Sequence, residues 1–192
     1  MSTDIRFNRE VSLWECLHDG DLQSLTSDLL TRSVTILIDV PYIRKFHQLP
    51  SETRFRLVLN GVREVQAFQF APWPGEFTIP EGLSWEESEK LRSDNYKKGR
   101  LESIDWHILA PKLEGTEQYE ISNATVTESI AGSVILQLDL LDDARDCPEI
   151  RIVAERLNIF IDPEREIPLE EFLTLGEAHW NDFAKRQTSN EP

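Results

Sequence analysis

The chain has 192 residues, a hydrophobic fraction of 40% and a formal net charge of −15 from 35 acidic and 20 basic residues. This length predicts one globular core, because a domain of this size buries most of the surface that its unfolded chain exposes. The acidic excess argues against general binding to nucleic acids or anionic membranes, since such binding needs an excess of Lys and Arg. A basic protein partner fits the charge better.

Cysteine usage and apolar runs predict a cytoplasmic protein. Cys16 and Cys147 are the two cysteines and lie far apart, so they form no disulfide framework, and reduced thiols are expected. The N-terminal residues lack the apolar core of a signal peptide. No apolar run approaches the roughly 20 residues of a membrane span.

The first predicted element is a β-hairpin over residues 21–40. Val34, Ile36 and Ile38 alternate with intervening residues at a period of two, which is typical of a strand with one buried face. The same alternation runs from Leu25 to Leu29, so the two segments are expected to pair across residues 30–32.

A second β-hairpin is predicted over residues 55–70. Apolar residues alternate on both sides of Asn60-Gly61, a pair that favours a tight reversal because both residues tolerate positive φ. A three-residue loop with a bulge sets Leu57 opposite Val65, so that both face the same side of the sheet.

A surface helix is predicted near residues 84–98. The preceding segment, 71–83, carries three prolines and two glycines and is expected to be irregular. Ser84 and Glu87 have the spacing of a capping box, in which each side chain satisfies a free amide at the start of the helix. The helix is polar on most sides, which favours a surface position.

Strands and a final helix are predicted in the second half of the chain. The expected strands cover residues 104–108, 119–128, 134–140 and 150–161. Apolar side chains switch from even to odd positions near Glu155-Arg156, which predicts a bulge there. A helix near residues 168–186 begins at Pro168 and carries one apolar stripe that includes Trp180.

These elements predict one α+β domain over residues 1–186, followed by a frayed polar tail over residues 187–192. Strands joined by short turns favour a single antiparallel, meander-type sheet of seven or eight strands. The C-terminal helix near 168–186 is expected to pack on that sheet.

The segment from Leu13 to Leu22 concentrates chemically active side chains: Cys16, His18, Asp19 and Asp21. One interpretation is a small hydrolase or isomerase that uses His18 with Asp19 or Asp21 for acid–base chemistry. A variant of this interpretation adds a metal ion bound by Cys16 and His18. In an extended segment Cys16 and His18 would point to one side, but a metal site would still need ligands from elsewhere, such as Cys147 or His179.

The favoured interpretation of the same segment is a structural turn. Leu13, Trp14 and Leu17 are then core residues, and Asp19-Gly20 forms a reversal. The His18 imidazole is expected to bond a backbone carbonyl or a carboxylate. The chain contains no phosphate-binding loop, dinucleotide fingerprint or nucleophile elbow, so no cofactor is expected.

The Pro-Trp-Pro segment at 72–74 is the predicted binding element, with Trp73, Glu76 and Phe77 as its contact residues. Prolines hold an aromatic side chain in place, so that it loses little conformational entropy on binding. The alternative is that Trp73 and Phe77 cover the sheet. Self-association through Trp73 and a sheet edge would give a homodimer.

Residues 17–22, Leu-His-Asp-Gly-Asp-Leu, and the strand over residues 34–40 resemble a set of small bacterial domains that includes immunity-type proteins of toxin systems. The resemblance covers residues 13–60. It implies a noncatalytic, antiparallel-sheet protein of the bacterial cytoplasm and assigns no functional residues. The sequence therefore predicts an acidic, immunity-like protein-binding module.

Overall fold

The computed structural model of the chain describes residues 7–71, 80, 82–96, 100–113, 119–129, 132–141, 148–161 and 165–189. Its strands are β1 (Phe7–Ser12), β2 (Gly20–Asp28), β3 (Ser33–Asp39), β4 (Phe55–Asn60), β5 (Glu64–Ala71), β6 (Arg100–Ile104), β7 (Tyr119–Ser129), β8 (Val134–Leu141), β9 (Pro148–Ala154), β10 (Arg156–Ile161) and β11 (Arg165–Ile167). Its helices are α1 (Trp14–Leu17), α2 (Pro41–Phe46), α3 (Trp85–Tyr96), α4 (Trp106–Leu113) and α5 (Leu169–Ser189).

The strands form one antiparallel sheet in the order β11-β10-β4-β3-β2-β7-β8-β9-β5-β6, and β1 pairs with β7. The predicted α+β class and antiparallel sheet are confirmed. Among the described residues the sheet has eleven strands, however, and not seven or eight. Its strand order is not that of the predicted meander either, because β4 pairs with β10 and β5 pairs with β9. The extra strands include β1 and β11, which are too short or too polar to show the alternation that marks a buried strand.

The first hairpin is confirmed. β2 and β3 pair with Leu25 opposite Ile36 and Ser27 opposite Val34. Val34, Ile36 and Ile38 are buried, as their alternation predicts. The chain reverses at residues 29–32 between the two strands, and the Asp28 carboxylate accepts hydrogen bonds from the backbone amides at that turn.

The predicted second hairpin is wrong, because β4 and β5 do not pair with each other. β4 pairs with β3 and β10, whereas β5 pairs with β9 and β6. The Asn60 carbonyl accepts a hydrogen bond from the Glu155 amide at 3.0 Å, and the Arg63 amide donates to the Val153 carbonyl at 2.8 Å. Asn60-Gly61 therefore bends a long strand instead of reversing it.

The partner of that bent strand has a matching bend at Glu155, between β9 and β10. Ile152 and Ala154 are buried before it and Ile159 is buried after it, so the predicted change of parity is confirmed. Gly61 has a φ of +63°, and the Glu155 side chain lies 2.6 Å from the position that a Cβ would take. The two bends are therefore packed against each other.

The strand predicted at 104–108 is also wrong. β6 ends at Ile104, and the following residues form helix α4, with Pro111 inside it. Leu109 and Leu113 are both buried. Their spacing of four places them on one helix face, and α4 contacts β2 and β5 through this region.

The two helices that the sequence predicts, α3 and α5, begin close to the expected residues. At α3 the Glu87 amide donates to the Ser84 hydroxyl at 3.2 Å, and the Ser84 amide donates to the Glu87 carboxylate at 3.0 Å, which is the predicted capping box. α5 extends to Ser189, so residues 187–189 of the predicted tail are helical. No helix among the described residues is long and apolar enough to cross a membrane.

Helix α5 reaches the sheet at one end and packs on other helices along the rest of its length. Phe172 is fully buried, and its ring centroid lies 5.3 Å from that of Phe55 in β4. Further along, α5 packs on α1 and α2. Gly176 lies so close to α1 that an added Cβ would be 2.6 Å from the Glu15 carbonyl oxygen.

Candidate functional site

The segment that carries Cys16 is a helical turn and is not extended, because α1 covers Trp14–Leu17. The Cys16 side chain is buried beneath α5, where its Sγ donates to the Phe172 carbonyl at 3.2 Å. Burial raises the pKa of the Cys16 thiol to about 12. A thiol with this pKa stays protonated at neutral pH, whereas the thiolate is the form that binds metals or acts as a nucleophile.

His18 lies at the end of this turn and is partly buried. Its ring centroid is 4.5 Å from that of Trp14. Its Nδ1 is 3.1 Å from an Asp19 carboxylate oxygen but is not aligned for a hydrogen bond. Asp19 has a φ of +57°, and β2 begins at Gly20, so the chain turns where the sequence predicts. The contact with Trp14 holds the His18 ring.

Asp21 belongs to a different cluster. It lies opposite Asp39 in the β2–β3 pair. Asp39 is buried, and its carboxylate lies 2.8 Å from Arg44 and 3.4 Å from Arg54. Burial, followed by the Asp39 charge, raises the pKa of Asp21. The contacts of Asp21 are thus with an ion-pair cluster at the start of α2.

The remaining predicted site residues concern metal ligation and the Pro-Trp-Pro segment. Among the described residues, no group of three or more His, Cys, Asp and Glu side chains is placed to hold a metal ion. Cys147, Trp73, Glu76 and Phe77 lie outside the described residues. The roles predicted for that segment stay predictions.

The structure brings together a group of rings from α1, α2 and α5, whose proximity the sequence did not indicate. We call it the aromatic surface. Its members are Trp14, Tyr42, Phe46, His179, Trp180 and Phe183. Trp14 stacks on Trp180 with centroids 5.1 Å apart, and His179 lies 4.7 Å from Tyr42. The rings therefore form one connected layer across three helices.

Two hydrogen bonds to one carbonyl hold this layer in place. The Trp180 indole donates to the Glu15 carbonyl at 2.9 Å, and the Tyr42 hydroxyl donates to the same oxygen at 3.2 Å. The Nε2 atom of His47 lies 3.0 Å from the Leu175 carbonyl oxygen and links α2 to α5 again. These contacts fix the rings relative to one another.

The aromatic surface is partly open to solvent. Trp14 is 37% exposed and Phe183 is 45% exposed, and the other four members are partly buried. Scattered exposed apolar residues are normal, but a contiguous exposed group is typical of a binding surface. Trp and Tyr are also the residues that most often dominate binding energy at protein interfaces.

A cavity of about 230 Å³ lies between α2 and α5 at the edge of this surface. Its lining combines the rings of Tyr42, Phe46, His179 and Phe183 with the charged side chains of Lys45, Asp182 and Arg186. Burial, with a smaller contribution from the Arg186 charge, lowers the pKa of His179 from 6.5. The imidazole is therefore mainly neutral at pH 7.

A larger cavity of about 500 Å³ lies over the strands, on the face of the sheet that carries Gln137 and Arg151. Its lining includes Arg9 and Arg151 together with Glu10 and Glu149. Charges of both signs are balanced there. This cavity therefore favours no one class of charged ligand.

The fold and the site define an α+β protein with an all-antiparallel sheet and an aromatic surface on three helices. No protein-family model, curated protein or solved structure matches the chain. The resemblance of residues 13–60 to immunity-type domains stays an expectation.

Sequence reasoning found part of the aromatic surface but assigned it to the core. The stripe that includes Trp180 and Phe183 is visible as helical periodicity, and Trp14 precedes two residues that are buried. Nothing in the sequence indicates that α1 and α2 cover these rings only partly. How much of each ring is exposed depends on the positions of the three helices relative to one another.

Proposed function

We propose that this protein is a noncatalytic protein-binding module that docks its partner on the aromatic surface. The observation that supports this function is the connected layer of six rings, with Trp14 and Phe183 more than one third exposed. Covering these rings removes a large apolar area from water. Because their positions are already fixed, little conformational entropy is lost on binding.

The proposed partner is a basic protein. The net charge of −15 favours association with a positively charged surface and speeds the encounter at low ionic strength. The resemblance of residues 13–60 to immunity-type bacterial domains makes a toxin one such partner. Salt is expected to weaken the complex by slowing association.

The alternative, a small hydrolase or isomerase, has less support. Two of its predicted groups lie apart, since Cys16 is buried beneath α5 and Asp21 faces Asp39. His18 lies 3.1 Å from the Asp19 carboxylate, but its Nδ1 makes no hydrogen bond there and its ring packs on Trp14. Acid–base chemistry needs its groups within hydrogen-bond reach of one reacting atom. The contacts of these side chains do not indicate such a point.

Site-specific photo-crosslinking tests the proposed surface. A photoreactive phenylalanine analogue replaces Phe183 in one variant and Leu91 in a control variant, since Leu91 lies on α3 and is 38% exposed. Both variants are irradiated in lysate of the source cells. We expect the analogue at 183 to trap one basic protein that the analogue at 91 does not trap.

The trapped protein is then purified and its binding to the wild-type chain measured at increasing salt. Binding that weakens with salt, and that is lost on replacing Phe183 with Ser, supports the proposal. The same set of products from both variants would contradict it. Crosslinking only between two copies of the chain would assign the surface to self-association instead, which sedimentation equilibrium would verify.

A further inference from the structure

The cavity between α2 and α5 differs in charge from the molecule around it. Lys45 is exposed, and no ion pair involves it among the described residues. Arg186 pairs with Asp182 one turn earlier on α5. One positive charge of the lining is therefore uncompensated, although the whole chain carries −15.

The walls of the cavity suit a planar ring. Tyr42, Phe46, His179 and Phe183 all contribute to its lining. Aromatic rings pack edge-to-face or offset against one another and gain energy beyond that of their buried area. A dry cavity of about 150 Å³ is enough to bind benzene. The observed volume of about 230 Å³ has room for a ring with a further small group.

We propose that this cavity binds an aromatic side chain of the partner that lies next to a carboxylate, with the carboxylate near Lys45. This inference rests on the proposed function, because the cavity opens at the aromatic surface. A carboxylate beside an exposed ammonium gains a modest, salt-dependent attraction, and the ring supplies most of the contact area. The site thus selects an anchor that is both aromatic and anionic.

A cation is the competing occupant, because aromatic faces attract ammonium groups. Arg186 and Asp182 pair with each other, so the uncompensated charge of Lys45 opposes a cation here. The sign of the ligand charge therefore separates the two possibilities.

Three small probes test the inference on the full-length protein: phenylacetate, the neutral 2-phenylacetamide and the cationic phenethyltrimethylammonium. Binding is followed by amide chemical shifts in two-dimensional NMR spectra. We expect phenylacetate to give saturable shifts at residues 45, 179 and 183, with a dissociation constant on the order of millimolar for so small a ligand. Its affinity should exceed that of the amide by about two- to fivefold.

Matched variants test the contribution of the Lys45 charge separately from that of the aromatic lining. Lys45→Gln should lower the affinity for phenylacetate by about two- to fivefold and leave the affinity for 2-phenylacetamide unchanged. Lys90→Gln is the control, since Lys90 is an exposed lysine on α3, and it should change neither affinity. Circular dichroism verifies that both variants are folded.

Three results would overturn the inference. They are tighter binding of the ammonium probe, no saturable shift with any probe, and equal affinity for the three probes, since charge would then play no part. If crosslinking through position 183 succeeds while phenylacetate does not bind, the proposed function stands and only the predicted anchor is wrong.

Discussion

The indole nitrogen of Trp180 and the backbone carbonyl of Glu15 are joined by a hydrogen bond of 2.9 Å, although 165 positions separate them in the sequence. The Tyr42 hydroxyl donates to the same oxygen. One carbonyl of α1 thus sets the positions of rings from α2 and α5. Preorganised rings of this kind bind a partner at a lower entropic cost than mobile ones.

Gly176→Ala should destabilise the protein by about 1–2 kcal/mol. An added methyl would lie 2.6 Å from the Glu15 carbonyl oxygen and 2.8 Å from the Cys16 Sγ, so α5 must move away from α1. Overpacking costs about 1–3 kcal/mol, and the better helix propensity of Ala returns at most about 1 kcal/mol. Urea unfolding followed by circular dichroism measures the change. The exposed neighbour substitution Glu177→Ala should stay within about 0.5 kcal/mol, and a stabilised Gly176→Ala would show that the helices are not in close contact.

Cys16 should be unreactive in the folded protein. With a pKa of about 12 after burial, its thiolate fraction at pH 8 is on the order of 10⁻⁴. In a Cys147→Ser background, Ellman's reagent should label one thiol in urea and almost none in buffer at pH 8. Gly176→Ala should speed the labelling by loosening α5. Immediate labelling of the native protein would show that this thiol is accessible.

Asp39→Asn should destabilise the protein by about 3 kcal/mol, since it leaves Arg44 partly buried without its charge partner. The control is Arg63→Gln, because the Arg63–Glu155 pair is more than half exposed on both sides. That change should cost less than about 1 kcal/mol. Urea unfolding at pH 7 measures the free energy of unfolding of both variants. An equal loss in the two would mean that burial does not strengthen the Asp39 cluster.

Asp21→Asn should change the free energy of unfolding in the opposite direction to Asp39→Asn at pH 7. Burial and the Asp39 charge raise the pKa of Asp21, so its ionised form destabilises the folded state relative to the unfolded state. The substitution should therefore leave stability unchanged or increase it at pH 7. Any gain should disappear below pH 3.8, where the carboxyl group is protonated in both states. A clear loss of stability at pH 7 would contradict the raised pKa.

His179 should make the protein less stable as the pH falls below 6.5. Its pKa in the folded state is lowered, chiefly by burial and then by Arg186, with His47 acting in the same direction and Asp182 opposing them. The unfolded chain therefore binds a proton first, and stability is lost as the pH falls through the folded pKa. Unfolding at pH 7.5 and pH 5 should show a smaller difference for His179→Gln than for the wild type. The exposed substitution Gln187→Ala should retain the full difference, and equal pH dependence in all three proteins would exclude this role.

Local patterns predict much of the fold. The alternation at residues 34–38 depends only on which face of one strand is buried, and β3 follows it. The Ser84–Glu87 capping box and the change of parity at Glu155 are equally local. In each case the residues that decide the structure lie within a few positions of one another.

The wrong predictions of the second hairpin and of the strand at 104–108 share one cause, which is that a short pattern is compatible with two structures. Asn60-Gly61 tolerates positive φ in a tight reversal and also in a bend, and the pairing of β4 with β10 selects the bend. Residues 104–108 alternate like a strand, yet Leu109 and Leu113 bury one helix face instead. Distant contacts overrode the local preference at both places.

The sequence by itself determined the α+β class, the first hairpin, the capping box and the C-terminal helix, because periodicity and capping depend on neighbouring residues. Only the tertiary structure decided the bent strand at Gly61 and the aromatic surface. Their physical basis is contact between segments far apart in the chain, above all the bonds of Trp180 and Tyr42 to Glu15. The exposure of these rings depends on how three helices pack together, and no pattern within one segment of the sequence encodes that packing.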